Sequence, residues 1–258
     1  MNLFASDIDN TLIYSYKRNI GSNKIVVEKK DEFNLSFMTE KSFALLCRIN
    51  EIATFVPITT RSIEQYNRIN FGNKDLHKFA LVCNGGILLD CGKYDIEWYN
   101  ETLRDIEESL SELEKGKEIL RIDKNRNFEV RHVDNMLVFT KSENISDTLG
   151  ILKEKLDNSL VDIYNNGEKV YITPKKLNKG RALLRLKKLF GTNGTICAGD
   201  SEMDVSMLEC ADISILPEKL FTDYTDMFKN KTYVIPKDRI FSDEMLEKVE
   251  IILQLACD

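Results

Sequence analysis

Two aspartates one residue apart, Asp7 and Asp9, follow an apolar run at residues 1–5 that predicts a short buried strand. In an open α/β sheet, the carboxyl end of a strand is where ligands bind. A pair of carboxylates there can divide a group transfer, one attacking while the other carries protons, provided that a cation offsets their repulsion. The pattern Asp-x-Asp-x-Thr alone is weak evidence, because Asp and Asn also cap turns. Its meaning therefore depends on which residues follow.

Polar residues recur at the ends of three further predicted elements. Two of these elements are short apolar runs that predict strands, and the third is an amphipathic stretch that predicts a helix at 179–190. Each set alone has an ordinary explanation, since threonine caps helices, lysine is a common helix charge and Asp-Ser is a common turn. Their shared placement at element ends makes coincidence the weaker explanation. The residues are Thr59, Thr60 and Arg61 after the run 52–56, Lys179 at the start of the helix, and Asp200 and Asp204 after the run 194–198.

In these four motifs the chain resembles the haloacid dehalogenase superfamily of phosphotransferases. Within it, the chain is most similar to the branch that includes sucrose-phosphate phosphatase and the Cof-type hydrolases. The resemblance implies a magnesium-dependent phosphatase that hydrolyses a small phosphate ester, a sugar phosphate, through an aspartyl-phosphate. It implies that Asp7 is the nucleophile, Asp9 the acid/base, Thr59 a ligand of the phosphoryl group and Lys179 the group that neutralises charge. Magnesium would be held by Asp7, the backbone carbonyl of Asp9, Asp200 and Asp204.

Three further residues are candidates for substrate binding: Thr60, Arg61 and Asn84. Asn84 opens an Asn-Gly-Gly turn like the one that this branch carries before its inserted domain. Each of three candidates also has an ordinary structural explanation: Asn84 as a turn residue, Arg61 as a solvated charge and Asp204 as a helix cap. The chain departs from the family pattern at Thr60, where glycine is usual, and at Met203, where asparagine is usual.

Composition limits the classes of function. The chain has 258 residues, 43% hydrophobic and 30% charged, which is typical of a globular protein. Its net charge of -6 argues against a nucleic-acid partner, and no apolar run is long enough to span a bilayer. Because no basic leader precedes Asp7, we expect a cytoplasmic protein. We also expect a monomer or a weak homodimer. Six cysteines without paired spacing predict free thiols rather than disulfides or a zinc site.

The order of predicted elements indicates an α/β fold with an insert. Residues 1–87 and 176–258 alternate strands and helices, as in a Rossmann-like parallel sheet. The first of these helices is predicted from about Thr39, a plausible N-cap, to Ile52, because apolar residues recur there at helical spacing. Residues 88–175 instead follow an αββαββ order, with helices at 101–115 and 146–156, which predicts an α+β cap domain inserted after the third core strand. We expect this cap to close over the site and select the substrate. A hairpin predicted at 24–37 is the other candidate for this role.

Two other functions remain open at this stage. Phosphomutases of the phosphomannomutase type resemble the same core and cap, and would differ in requiring a bisphosphorylated sugar. A weakly active metabolite-binding regulatory protein would have no use for a second carboxylate placed for proton transfer.

Overall fold

A computed structural model describes residues 2–192 and 194–255. Within these ranges the chain forms two compact units. The first unit contains the residues up to Tyr94 and those from Lys179 onward, and the second contains Asp95–Asn178. Both boundaries of the second unit therefore lie a few residues after the predicted boundaries at 88 and 175.

The first segment of the first unit alternates strands and helices, as predicted. Its first helix begins after Thr39, whose side chain accepts a hydrogen bond from the Ser42 N–H at 2.9 Å, so the predicted N-cap is confirmed. The elements are β1 (Asn2–Ser6), β2 (Tyr14–Ser15), β3 (Lys24–Lys30), β4 (Phe33–Thr39), α1 (Glu40–Ile52), β5 (Thr54–Pro57), α2 (Ile63–Tyr66), β6 (Phe79–Val82), β7 (Ile87–Asp90) and β8 (Lys93–Tyr94).

The predicted hairpin at 24–37 is present as the antiparallel pair β3 and β4, with β2 on the free edge of β4. The register shifts on both sides of Glu28, which marks an irregularity of the β-bulge kind in β3. A bulge bends a strand and re-aims a side chain.

Strand β6 extends the core and then turns back. It runs parallel to β5 through a bridge between Ile58 and Leu81, and it pairs antiparallel with β7. Because β7 and β8 continue this hairpin, the residues from Ile87 to Tyr94 belong to the first unit. The predicted start of the insert at residue 88 is therefore too early.

The second unit has the predicted αββαββ order, with one correction. The helix predicted at 101–115 is two helices separated by a 3₁₀ turn at Glu107–Ser109. The first helix begins earlier than predicted because the Asp95 side chain caps it by accepting from the N–H groups of Glu97 and Trp98. The elements are α3 (Ile96–Ile106), α4 (Leu110–Ile122), β9 (Arg131–Val133), β10 (Leu137–Lys141), α5 (Ile145–Lys155), β11 (Val161–Asn166) and β12 (Lys169–Pro174).

This unit has an apolar core of its own. Its strands form an antiparallel sheet in the order β11-β12-β10-β9, and α4 and α5 pack against β10, β11 and β12. The side chains between helices and sheet are almost wholly buried: Leu113, Leu120, Val138, Leu152, Leu156, Val161, Ile163, Val170 and Ile172.

The chain then completes the parallel sheet of the first unit. The elements are α6 (Lys179–Phe190), β13 (Gly194–Ala198), α7 (Val205–Cys210), β14 (Ile213–Pro217), α8 (Glu218–Asp223), β15 (Lys231–Ile235) and α9 (Phe241–Leu255). Among the described residues the parallel strands follow the order β15-β14-β13-β1-β5. Strand β1 lies between β13 and β5, with Ser6 opposite both Ala198 and Pro57. The carboxyl ends of these three strands therefore meet at one edge of the sheet.

Two predictions from composition bear on this fold. The five cysteines within the described ranges are free, with Cys83 and Cys197 buried and Cys47 only half-buried; Cys257 lies outside these ranges. Over the same part of the chain, no helix combines the length and the apolar character needed to cross a bilayer.

Candidate active site

Asp7 and Asp9 lie on a tight loop that follows β1. Ile13 donates its backbone N–H to the carbonyl of Ile8 at 3.0 Å, and Asn10 donates its own to the carbonyl of Ile13 at 2.8 Å. Asn10 has φ of 61°, a left-handed conformation that Asn tolerates better than most residues. The loop holds Asp7 buried and leaves Asp9 partly exposed.

Three aspartates predicted as metal ligands converge at this edge of the sheet. Each of Asp7, Asp200 and Asp204 offers a carboxylate oxygen, and these oxygens lie within 4.8 Å of one another. The ammonium of Lys179, 1% exposed, donates at 2.5 Å both to Asp7 Oδ1 and to Asp204 Oδ1. Thr11 Oγ1 donates to Asp200 Oδ1 at 3.0 Å. The fold thus brings residues from distant parts of the chain into a single, largely buried cluster of charged side chains.

The charges in this cluster are poorly balanced. Burial, with the repulsion from Asp204 and Asp9, outweighs the attraction of Lys179 and raises the pKa of Asp7 to about 7. Burial and the neighbouring Asp7 and Asp204 also raise the pKa of Asp200 well above its usual range. Burial disfavours the charge of Lys179, but Asp204 and Asp7 outweigh it and raise the pKa of its ammonium. The three carboxylates therefore outweigh the single ammonium, and a bound cation would offset the remaining negative charge.

Asp204 organises the loop that carries Asp200. Its Oδ2 atom accepts from the backbone N–H groups of Asp200 and Ser201 at 3.1 and 3.0 Å, and from Ser201 Oγ at 2.9 Å. A Cβ atom on Gly199 would lie 2.3 Å from the Cβ of Asp204, so this close approach needs glycine. Since Oδ1 contacts Lys179, both oxygens of Asp204 already have protein partners.

Lys179 reaches the cluster because helix α6 begins against α7. A Cβ atom on Gly180 would lie 2.4 Å from the backbone oxygen of Ser206, and the Gly180 N–H donates to Ser206 Oγ at 3.1 Å. This contact fixes the first turn of α6 and therefore the backbone position from which the Lys179 side chain extends.

Thr59 and Asn84 are joined through the backbone at the ends of β5 and β6. The Thr59 N–H donates to the carbonyl of Leu81 and the Asn84 N–H donates to the carbonyl of Thr59, both at 2.8 Å. The buried Thr59 Oγ1 accepts from the Arg61 N–H at 3.2 Å, which leaves its own proton to be donated elsewhere. Asn84 is buried with φ of 60° in the predicted turn, and Thr60 is half-exposed.

Arg61 binds the second aspartate of the leading motif. Its Nε and Nη2 donate to Asp9 Oδ2 and Oδ1, each at 2.8 Å, a two-point contact that fixes the plane of the carboxylate. Arg61 Nη2 also donates to Glu28 Oε2 at 2.9 Å. Burial disfavours the charge of the Glu28 carboxylate, but its contacts with Arg61, Ser36 and Arg68 outweigh burial and hold its pKa below the ordinary value.

Two further residues of this region, Thr11 and Glu28, are not among those predicted from the sequence. Thr11 had a signal, because it is the last residue of the Asp-x-Asp-x-Thr pattern. Glu28 had none, since it is one acidic residue in the run Glu-Lys-Lys, which reads as a solvated strand edge.

The haloacid dehalogenase-like hydrolase family has a sequence profile that matches residues 74–216. This is more than half of the chain, so the protein belongs to that family. The phosphoglycolate phosphatase 2 of Saccharolobus solfataricus is 28% identical over 220 residues, which cover 83% of this chain and 78% of that protein.

Solved structures agree with this fold. The sucrose-phosphatase of Synechocystis sp. PCC6803 superposes with a TM-score of 0.62 at 14% identity, covering 97% of each chain. A haloacid dehalogenase-like hydrolase from Bacteroides thetaiotaomicron superposes with a TM-score of 0.61 at 14% identity, covering 97% of this chain and 99% of the other. The predicted family, the α/β fold with its inserted unit and the assignment as a hydrolytic enzyme are confirmed.

Proposed function

We propose that the protein is a magnesium-dependent phosphatase that hydrolyses a small phosphorylated metabolite, a sugar phosphate, through an aspartyl-phosphate intermediate. One observation carries this proposal. Asp7 contacts Lys179 inside a cluster of three aspartates, while Asp9, two residues on, lies outside that cluster on Arg61. Two carboxylates in such different surroundings are suited to two different tasks.

In the first step an Asp7 carboxylate oxygen attacks phosphorus opposite the leaving oxygen. A bond forms between Asp7 and phosphorus, the bond from phosphorus to the leaving oxygen breaks, and Asp9 gives its proton to that oxygen. Thr59 donates its hydroxyl proton to a phosphoryl oxygen. Lys179 supplies positive charge next to Asp7.

In the second step water attacks phosphorus and Asp7 leaves. Asp9, now a carboxylate, takes a proton from this water, and phosphate is released. Asp9 thereby returns to its starting protonation state. Thr60 and Asn84 are proposed to contact the substrate. Arg61, which donates to both oxygens of Asp9, is proposed to orient that carboxylate instead.

The donor set fits magnesium. Magnesium prefers oxygen ligands, and the oxygens of Asp7 and Asp200, with the backbone carbonyl of Asp9, are proposed to hold it. When bound, it would neutralise negative charge at the phosphoryl group. Because both oxygens of Asp204 contact protein donors, we assign Asp204 to the support of Lys179 and of the Asp200 loop.

The substrate class rests on relatives and on the site together. Sucrose-phosphatase and a trehalose-6-phosphate phosphatase related protein share this fold, and a relative in sequence is named for phosphoglycolate. The names of all three proteins refer to the hydrolysis of small phosphate esters. A cytoplasmic location and a monomeric or weakly dimeric state remain predictions.

Phosphate release from a panel of sugar phosphates, phosphoglycolate, nucleotides and aryl phosphates, with magnesium or with excess chelator, tests the proposal. We expect release with magnesium, none in chelator and inhibition by calcium, which prefers more ligands at longer distances. Asp7→Asn should abolish release, whereas Asp238→Asn at an exposed position should have no effect. Full activity in chelator or in Asp7→Asn would contradict the proposal. Turnover only with a bisphosphorylated sugar present would indicate a phosphomutase instead.

A further inference from the structure

Glu28 is a buried carboxylate on the β3–β4 hairpin. It is 4% exposed, although it lies on the β3–β4 hairpin next to the exposed Lys29 and Lys30. Its oxygens accept from Ser36 Oγ at 2.7 Å and from Arg68 Nε at 3.2 Å, in addition to the contact with Arg61. A buried charge is retained only where partners offset its lost hydration, and Glu28 has three of them.

The backbone of the hairpin aims Glu28 inward. The register of β3 against β4 shifts on both sides of Glu28. Glu28 also forms a bridge with Ile69, and the Asn70 N–H donates to the carbonyl of Val27 at 2.7 Å. These contacts tie the hairpin to the segment after α2, so the position of the Glu28 carboxylate is fixed from two sides.

Arg61 connects Glu28 to the acid/base. Its guanidinium is planar and rigid, so acceptors on several of its nitrogens fix its orientation. Nε and Nη2 donate to Asp9, Nη2 also donates to Glu28, and Nη1 donates to the carbonyl of Gln65 at 3.2 Å. The Asp9 side chain is 47% exposed, and this guanidinium contacts both of its carboxylate oxygens.

We infer that Glu28 is a positioning residue: it holds Arg61 so that the guanidinium keeps the Asp9 carboxylate oriented for proton exchange with the leaving oxygen. The inference rests on the proposed phosphatase function and extends it to the hairpin. Without the negative charge of Glu28, the guanidinium of Arg61, whose side chain is only 12% exposed, would lose one of its two carboxylate partners. The Asp9 carboxylate would then be held less firmly in this orientation, while Asp7, Lys179 and Asp200 keep theirs.

Esters with different leaving groups separate this role from a purely structural one. An alkyl phosphate needs a proton on its leaving oxygen, whereas an aryl phosphate with a good leaving group needs it far less. We therefore expect Glu28→Gln to lower kcat for an alkyl phosphate by roughly 10–10²-fold, a fraction of the full effect of an acid/base. The kcat for an aryl phosphate should fall much less, and the KM of both should change little.

A matched control uses the other carboxylate on Arg68. Glu64 is 89% exposed and lies 3.6 Å from Arg68 Nη1, so Glu64→Gln removes one carboxylate from the same arginine without touching Arg61. This variant should leave both activities unchanged. Arg61→Lys keeps a charge for Glu28 but loses the two-point contact with Asp9, so it should show the same selective loss on alkyl esters. It serves as the second variant if Glu28→Gln folds poorly.

A double substitution isolates the coupling. In an Asp9→Asn background, adding Glu28→Gln should cause no further loss on the alkyl ester, because the positioned group is already gone. Multiplied losses, or equal losses on both esters in Glu28→Gln and Arg61→Lys, would overturn the positioning role while leaving the phosphatase assignment intact. If the unsubstituted protein released phosphate from neither ester, the proposed function would fail and this inference with it.

Discussion

At the residue scale, the cluster around Asp7 is short of positive charge. Lys179 contacts Asp7 and Asp204 but is the smaller influence on Asp7, whose pKa burial raises to about 7. In water such carboxylates would ionise separately; here they share one low-dielectric site, and protonation relieves part of their repulsion. A divalent cation would relieve the same repulsion, so protons and magnesium should compete.

This competition predicts a pH dependence of stability. The folded pKa of Asp7 lies above its ordinary value of 3.8, so the metal-free protein binds this proton more tightly when folded than when unfolded. Asp7 therefore lowers metal-free stability as pH rises from about 4 to about 7, after which its contribution is constant. Magnesium should raise the melting temperature more at about pH 8 than at about pH 6, because fewer protons must leave.

Thermal melts with magnesium or chelator at both pH values measure this effect. Asp7→Asn removes the titrating group, so it should stabilise the metal-free protein at the higher pH and reduce the response to magnesium. An equal response to magnesium at both pH values in the unsubstituted protein would contradict competition at this cluster.

Asp9 gives a prediction about leaving groups. Asp9→Asn keeps the size of the side chain but cannot deliver a proton, so turnover of alkyl phosphates should fall by roughly 10²–10⁴-fold. The defect should be smaller for aryl phosphates, whose leaving oxygens are more acidic. Steady-state kinetics with both kinds of ester check this, and equal defects would exclude Asp9 as the acid.

At the scale of elements, local signals predicted much of the fold. The Thr39 cap and the apolar spacing predicted α1 at 40–52, and an apolar run with a following Asn-Gly-Gly predicted β6 and its turn. Features that depend on the pairing of strands could not be predicted from the sequence. The sequence does not show that β7 pairs with β6, or that the irregular pairing of β3 turns Glu28 towards an arginine 33 positions away.

Close backbone approaches at the ends of elements give a third prediction. Gly199→Ala would place its Cβ 2.3 Å from that of Asp204, which must shift with the loop that carries Asp200. We expect a loss of about 1–3 kcal/mol in the free energy of unfolding, the usual cost of overpacking, together with weaker magnesium binding.

Gly150→Ala is the matched control. Gly150 lies in the interior of α5 and a Cβ there meets nothing within 4 Å. This substitution should stabilise the second unit by about 0.5–1 kcal/mol through helix propensity and leave phosphate release unchanged. Denaturant unfolding and magnesium titration of both variants distinguish a local clash at the site from a general effect of adding a methyl group. Normal magnesium affinity in Gly199→Ala would refute the packing argument.

At the scale of the whole molecule, the proposed chemistry belongs to one unit. Asp7, Thr59, Lys179 and Asp200 all lie in the first unit, whose parallel sheet brings them together. The second unit has its own sheet and its own apolar core. Selection of the substrate by the second unit is a prediction that its separate core makes testable, because it can be removed without cutting an element of the first.

Replacing residues 95–175 with a short glycine-serine linker should leave a folded first unit. Such a variant keeps Leu177, which is buried, and the start of α6 at Lys179. We expect weak release of phosphate from aryl esters and a loss of the ranking among natural phosphate esters, because contacts with the leaving group would be gone. Specificity constants across the substrate panel measure this, with circular dichroism to establish that the variant folds. If the ranking survives the deletion, selection resides in the first unit, and the β3–β4 hairpin that carries Glu28 becomes the segment to exchange.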